Sequence, residues 1–417
     1  MRTTHIVVIL ILLAAGLLPS PAQAGGLVTV CDEAHLRAAL VGAGMVTFAC
    51  SGTITLTNTI TIDGNTTIDG SGQDVTFSGN NALRVLSVGV GGTLNLDQLT
   101  IANGKADFGG GIRSDGTLTV SNSIFEDNNA DLYGGGIYVN GGRATVSNSA
   151  FSGNHSALSS GGLHSLNGTL IVNNSAFSGN SAHDQGGGIF ANGGTLTVSD
   201  STFSDNSANW GGGIFNMGGV RMTVSNSTFT GNRAGGGAGI CSFLGGTLTV
   251  SNSTFFGNIA EPGAAIYAGG GTLTVSNSTF SGNGSPSLGS STVYNAYGAD
   301  LLKNTIIVKG GGGRSCVGVF TDGGGNLSFP DDSCFGIIAD PLLGPLQNNG
   351  GPTWTMAPGP GSPAIDAGND AVCFKAPVNS LDQRGVMRPV GSHCDSGAVE
   401  VNYLPIRTWL PTVLAGP

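Results

Sequence analysis

Apolar residues return along this chain on a fixed beat that is far longer than a helical turn. Phenylalanines fall at Phe125, Phe151, Phe177, Phe203, Phe229, Phe255 and Phe280, five steps of 26 residues and one of 25. Val120, Val146, Val172, Val198, Val224, Val250 and Val275 keep the same interval. Residues 186–206, GGGIFANGGTLTVSDSTFSDN, show one complete unit. Such self-similarity marks a solenoid, because each unit can bury its apolar face only by stacking on the next.

Inside a unit the polarity alternates with a period of two. Leu196 and Val198 share one face and Thr195 and Thr197 the other, as in a half-buried strand. Three short strands per unit are predicted. The first carries Ile112, Ile137, Leu163, Ile189, Ile214, Ile240 and Ile266. The second carries the valines with Leu118, Ala144, Leu170, Leu196, Met222, Leu248 and Leu273, and the third carries the phenylalanines. Phe203 is out of phase with Val198, so the chain must bend between them. Asn122, Asn148, Asn174, Asp200, Asn226, Asn252 and Asn277 occupy that bend, and Asn128, Asn154, Asn180, Asn206, Asn232, Asn258 and Asn283 close the third strand. Stacked amides can bond one another and the turn backbone from coil to coil. With no 3.6-residue pattern in this region, the prediction is an all-β chain. It is a right-handed parallel β-helix of about ten coils, a rod of roughly 50 Å at the usual strand spacing. A leucine-rich repeat would need an LxxLxL core that is missing.

The ends break the beat. Residues 32–40, DEAHLRAAL, predict a short helix capped by Asp32, and residues 25–50 are expected to cap the first coil. The repeat is expected over 51–310, a capping segment over 311–400, and a Pro/Leu-rich tail over 401–417. Before all of these, Arg2, a 13-residue apolar run from Ile6 to Leu18 and the small-residue site Ala22-Gln23-Ala24 form a secretory signal over 1–24. The tail holds no LPxTG and no spanning helix; its commoner reading is a disordered terminus, its sharper one a sorting signal.

Export changes how the seven cysteines are read. Three local disulfides are expected, Cys31 with Cys50, Cys316 with Cys334 and Cys373 with Cys394, leaving Cys241 free in a coil. The formal charge of -10 argues against nucleic acid as a partner. No second long apolar run follows the signal, so no transmembrane segment is expected, and a monomer is the expected state.

Candidate chemistry lies where the repeat varies, in the connections between the FxxN asparagine and the next glycine run. Asp107, Phe108, Asp131, Tyr133, Asp184, Trp210 and Glu261 fall there. Rings beside carboxylates suit a carbohydrate, with the rings covering sugar faces and the polar groups fixing hydroxyls. A lyase would gather Asp107, Asp131 and Asp184 around calcium with Arg143, Arg221 or Arg233 as base; no compact motif ties these together, and no catalytic residue is assigned. No cofactor motif is present, calcium being the one ion the acidic positions suit. Asp200 would have a raised pKa if buried. His155, His164 and His183 differ in their offsets from the repeat and are expected at the surface, without a metal. Arg384 and Arg388 lie near Asp366, Asp382, Asp395 and Glu400 and are expected to staple loops over the open end of the solenoid.

The GGGI and FxxN pairs, such as Phe151-Ser152-Gly153-Asn154, resemble the repeats of polymorphic outer-membrane proteins and, more broadly, the right-handed β-helix proteins of the pectin lyase-like superfamily. The ordered set DPLLG at 340–344, NGGPT at 349–353, GSPAIDAG at 361–368, DQRG at 382–385 and DSGAVE at 395–400 resembles the choice-of-anchor Q domain of secreted bacterial proteins. Met356 departs from it, standing where a histidine is expected. These likenesses imply a β-helix at the cell surface or outside the cell. The leading expectation is an adhesive or glycan-binding rod without enzymatic activity. The alternatives are a lyase or hydrolase acting on acidic glycans along the connecting edge, and a spacer without a ligand.

Overall fold

A computed structural model describes residues 25–287, 289–298 and 300–401. The signal over 1–24 and the tail beyond Val401 lie outside the described residues. Regular structure here is almost entirely short parallel strands, arranged in three long sheets. The first sheet has 13 strands, from Leu27–Val28 to Phe320–Asp322, and includes the TLTV strands such as Thr195–Ser199. The second has 11, from Ile60–Ile62 to Arg314–Val317, and holds the isoleucine row; the third has 13, from Gly52–Thr55 to Ile337–Ile338, and holds the phenylalanines. Each strand pairs with its equivalent one coil away, Phe177 with Phe203 and Phe203 with Phe229, Val172 with Val198 and Val198 with Val224.

This register makes the core a set of columns. Phe125 through Phe280 are fully buried and stack with ring centroids 4.6 to 4.9 Å apart. Beside them the second asparagine row is a closed ladder. The Asn206 Nδ2 group donates to Asn232 Oδ1 at 3.0 Å and to the Phe177 carbonyl at 2.9 Å, while Asn206 Oδ1 accepts from the Asn180 backbone and side-chain amides. Both amide hydrogens and the carbonyl of each interior member are used, so burying the polar column leaves nothing unsatisfied.

The first asparagine row does different work. Asn122, Asn148, Asn174, Asn226, Asn252 and Asn277 all have φ between 44° and 50°, the left-handed conformation that turns the chain from the first sheet into the third. Asparagine and aspartate tolerate it better than other side chains, which accounts for Asp200 at φ 53°. Asp200 is only half-buried and accepts from Asn226 at 3.2 Å. Asp127 and Asp205 likewise occupy left-handed positions, φ 52° and 54°, that are glycine in the coils of Gly153, Gly179 and Gly231.

The helix Glu33–Ala39 forms with Asp32 as its N-cap, accepting from the His35 backbone, and buries Leu36 and Ala39. All three disulfides pair as expected, and Cys241 is free and buried.

Two expectations need correction. The connecting segments are not all loops: Lys105–Phe108, Asn129–Tyr133, His155–Ser156 and Ser181–Ala182 form a fourth parallel sheet. They stack strand on strand like the coils, with one register shift between Ala106 and Phe108. The C-terminal segment, in turn, does not sit over the open end. After the last rung at Ile337–Ile338 the chain turns back along the bend between the first and third sheets. There Thr353 Oγ1 donates to the Asn226 carbonyl, Asn252 Nδ2 to the Leu381 carbonyl and Asn304 Nδ2 to the Asn369 carbonyl. Thr228 Oγ1 donates to the Trp354 carbonyl and Thr254 Oγ1 to Gln383 Oε1, both at 2.6 Å. The arginines hold this return strap together rather than a lid. Arg388 is buried, 3.2 Å from Glu400, and donates to the Asp395 and Gly397 carbonyls; Arg384 forks onto Asp382 at 2.7 Å. Asp382, Asp395 and Glu400 accept backbone N–H donors as well, so the carboxylates are engaged within the segment.

Candidate functional site

Residues that follow the isoleucine row point away from the core, and their identities are unlike anything inside. Arg113, Tyr138, His164, Phe190, Phe215, Cys241, Tyr267 and Tyr294 are register partners in successive strands of the second sheet. Their rings stack as a second aromatic column: His164 to Phe190 at 4.5 Å, Phe190 to Phe215 at 5.4 Å and Tyr267 to Tyr294 at 5.1 Å. The glycine turns at Gly186, Gly211 and Gly237 pack against Phe190, Phe215 and Cys241, which are buried although they face outward.

Where the fourth sheet meets the column, a cleft of about 330 Å³ opens, walled by Tyr133, Tyr138, His164, Phe190 and Met217, with Asp184, Gln185 and Asn192 as its polar groups. Tyr133 lies 4.8 Å from the His164 ring, and Phe108 backs both Tyr133, at 5.5 Å, and Tyr138, at 5.2 Å. His164 is thus not at the surface, unlike His155 and His183. Burial holds its pKa down at about 3, with the Ser159 backbone pulling weakly the other way, so the imidazole is neutral across the physiological range. Its Nδ1 atom has no hydrogen-bond partner in the protein. A buried polar nitrogen left so costs about 1–3 kcal/mol.

Of the residues predicted from sequence, the fold brings Tyr133 and Asp184 to this cleft, with Phe108 behind the tyrosines. Asp107 and Asp131 are exposed on the fourth sheet. Trp210 lies further along, edge-on to Tyr267 at 5.4 Å, and Glu261 is exposed near Ser285. The arginines offered as bases do not join the acids as a group: Arg143 and Arg221 open strands of the first sheet. Among the described residues, no group of three or more His, Cys, Asp or Glu side chains is placed to hold a metal ion. Tyr138 and Phe190 are absent from the sequence prediction and His164 enters it only as a surface histidine, although the signal is there: the residue after each isoleucine-row position is aromatic or histidine in most coils, as in GGGIY, GGLH and GGGIF.

A family model described as right handed beta helix region matches residues 135–318, the stretch carrying this column. The fold is a right-handed parallel β-helix. The chain is also similar to a solved structure titled crystal structure of pectate lyase Pel9A, with 14% identity over 86% of this chain and 88% of that one and a TM-score of 0.46. That likeness is too distant to carry activity across. No curated protein matches the chain in sequence. No helix among the described residues is long and apolar enough to cross a membrane.

Proposed function

We propose that this is an exported β-helix protein that binds neutral glycan at the second-sheet cleft without cleaving it. The observation carrying this reading is the cleft itself: the rings of Tyr133, Tyr138 and Phe190 in its wall, polar groups from Asp184, Gln185 and Asn192, and a neutral His164 whose buried Nδ1 no protein group engages. Sugars offer C–H faces to rings and hydroxyls to such groups. A neutral ligand suits the site better than an acidic one, since the histidine is uncharged and the chain carries a formal charge of -10. Export is supported by the signal-like residues 1–24 and by the disulfides, which persist in oxidising compartments. Placement at a cell surface is supported by the resemblance of residues 340–400 to choice-of-anchor Q domains and of the coils to polymorphic outer-membrane repeats.

Incubating the protein with panels of neutral glycans and polyuronates, with and without calcium, tests the reading. Neutral glycan should be retained intact, and Tyr138→Ala should weaken retention about tenfold, the worth of one lost ring contact. Release of unsaturated or reducing ends would instead point to a lyase or hydrolase, and retention of no glycan to a spacer.

A further inference from the structure

The groove along the first asparagine row is filled over one half of the rod and open over the other. On the coils of Asn226 to Asn304 the returning C-terminal strap occupies it, engaging Thr228, Thr254 and Thr279. On the earlier coils the equivalent positions are Ile124, Ala150 and Ala176, and Ile124 is 42% exposed. They floor an open groove of about 350 Å³ bordered by Asn148, Asn174 and Asp200 and ending at Pro352 of the strap. Past Thr202 the threonine floor gives way to the apolar Ala176, Ala150 and Ile124, which nothing described covers.

The chain leaves the described fold beside the mouth of this groove. The Val401 amide donates to Asp395, and the Glu400 carbonyl accepts from Arg384, whose backbone packs on Gly351 next to Pro352. The sequence continues as NYLPIRTWLPTVLAGP over 402–417. Sixteen residues can reach about 50 Å when extended, while the coils from Thr202 back to Thr76 span only about 24 Å. Tyr403, Leu404, Ile406, Trp409 and Leu410 supply apolar side chains for the floor, and Arg407, the one charge of the run, complements Asp200 at the rim.

We propose that residues 402–414 dock in this groove, continuing the interface of the C-terminal strap over the earlier coils. Hydrogen exchange read by mass spectrometry on the full chain tests it. Amides of 402–414 should be protected in the wild type, independently of protein concentration. Ala150→Arg with Ala176→Arg should abolish that protection, as should Trp409→Ser with Leu410→Ser, a pair that leaves the rod untouched. Thr197→Arg, on the outer face of the first sheet, should leave it intact. Unprotected tail amides in the wild type, protection that survives the groove substitutions while amides of 203–229 stay protected, or protection that rises with concentration would each overturn the proposal; the last would place the tail in a second copy.

Discussion

Two columns of stacked rings run along this rod, and they obey different rules. The inner one is seven phenylalanines, every one fully buried, with interplanar angles of 4° to 8°. The outer one, on the second sheet, runs arginine, tyrosine, histidine, phenylalanine, phenylalanine, cysteine, tyrosine, tyrosine. Both stack for the same geometric reason, since parallel pairing in register places equivalent side chains one strand apart. Inside, each ring meets the same neighbours in every coil, so one residue type solves every position. Outside, each ring meets a different connecting segment, and variation is tolerated or used. Uniformity in a stacked column therefore marks packing, and departure from it marks the places where something beyond packing is at stake.

The largest effects should come from interrupting the inner columns. Phe203→Ala opens a cavity between Phe177 and Phe229 and should cost about 3–5 kcal/mol by chemical denaturation. Asn206→Ala should cost a similar amount for a different reason. The Asn180 amides lose their acceptor, and Asn232 and the Phe177 carbonyl lose a donor, all in buried surroundings. Arg388→Ala strands the buried Glu400 and should likewise cost roughly 3–5 kcal/mol. None of the first two should alter glycan retention at temperatures where the rod stays folded; if they do, the two columns are not independent.

These inner columns are the part of the molecule legible in the sequence. A residue that repeats every 26 positions reports a position whose surroundings also repeat, so the Phe, Val and Asn rows gave strands, bends and core faces directly. The Asp200, Asp127 and Asp205 departures were visible but not interpretable, because their cause is a left-handed backbone angle and not a charge requirement. The cleft was half legible. Tyr133 and Asp184, with Phe108 behind the tyrosines, stand in the variable connections, whereas Tyr138, His164 and Phe190 sit within the regular strand, one residue past the isoleucine row. The course of the C-terminal strap could not be read from spacing, since its contacts with Asn226, Asn252 and Asn304 join residues 65 to 129 positions apart.

A smaller effect should follow from Asp300, an irregular position on the first sheet. It is buried and accepts from the Leu273 amide, while its second oxygen has no partner, and burial raises its pKa to about 6. Because the folded value lies above the unfolded one of 3.8, folding favours the protonated acid. That contribution is complete below pH 3.8 and is lost as pH rises through about 6. Asp300→Asn should then stabilise the protein by about 1–3 kcal/mol at pH 7 and by almost nothing at pH 4, measured by urea denaturation at both values. Equal effects at the two pH values would show that the carboxylate is not held protonated.

His164→Phe gives the smallest change in stability and the sharpest test of the outer column. The substitution keeps a ring between Tyr138 and Phe190 while removing the unpartnered Nδ1. If the column were only packing, the variant should gain about 1 kcal/mol and bind glycan as before. If Nδ1 is reserved for a ligand hydroxyl, the same gain should come with weaker retention, by about fivefold to tenfold for one lost hydrogen bond. A pH series separates this from general damage. The folded pKa of His164 is depressed, so its contribution to stability is present above the unfolded value near 6.5 and is lost as pH falls toward 3. The phenylalanine variant lacks that proton uptake and should lose less stability than the wild type between pH 7 and pH 4. Wild-type retention should stay level from pH 8 to pH 5, because the imidazole remains neutral throughout. A retention curve that bends within that range would mean that something other than the neutral His164 ring governs binding, and the outer column would then be packing like the inner one.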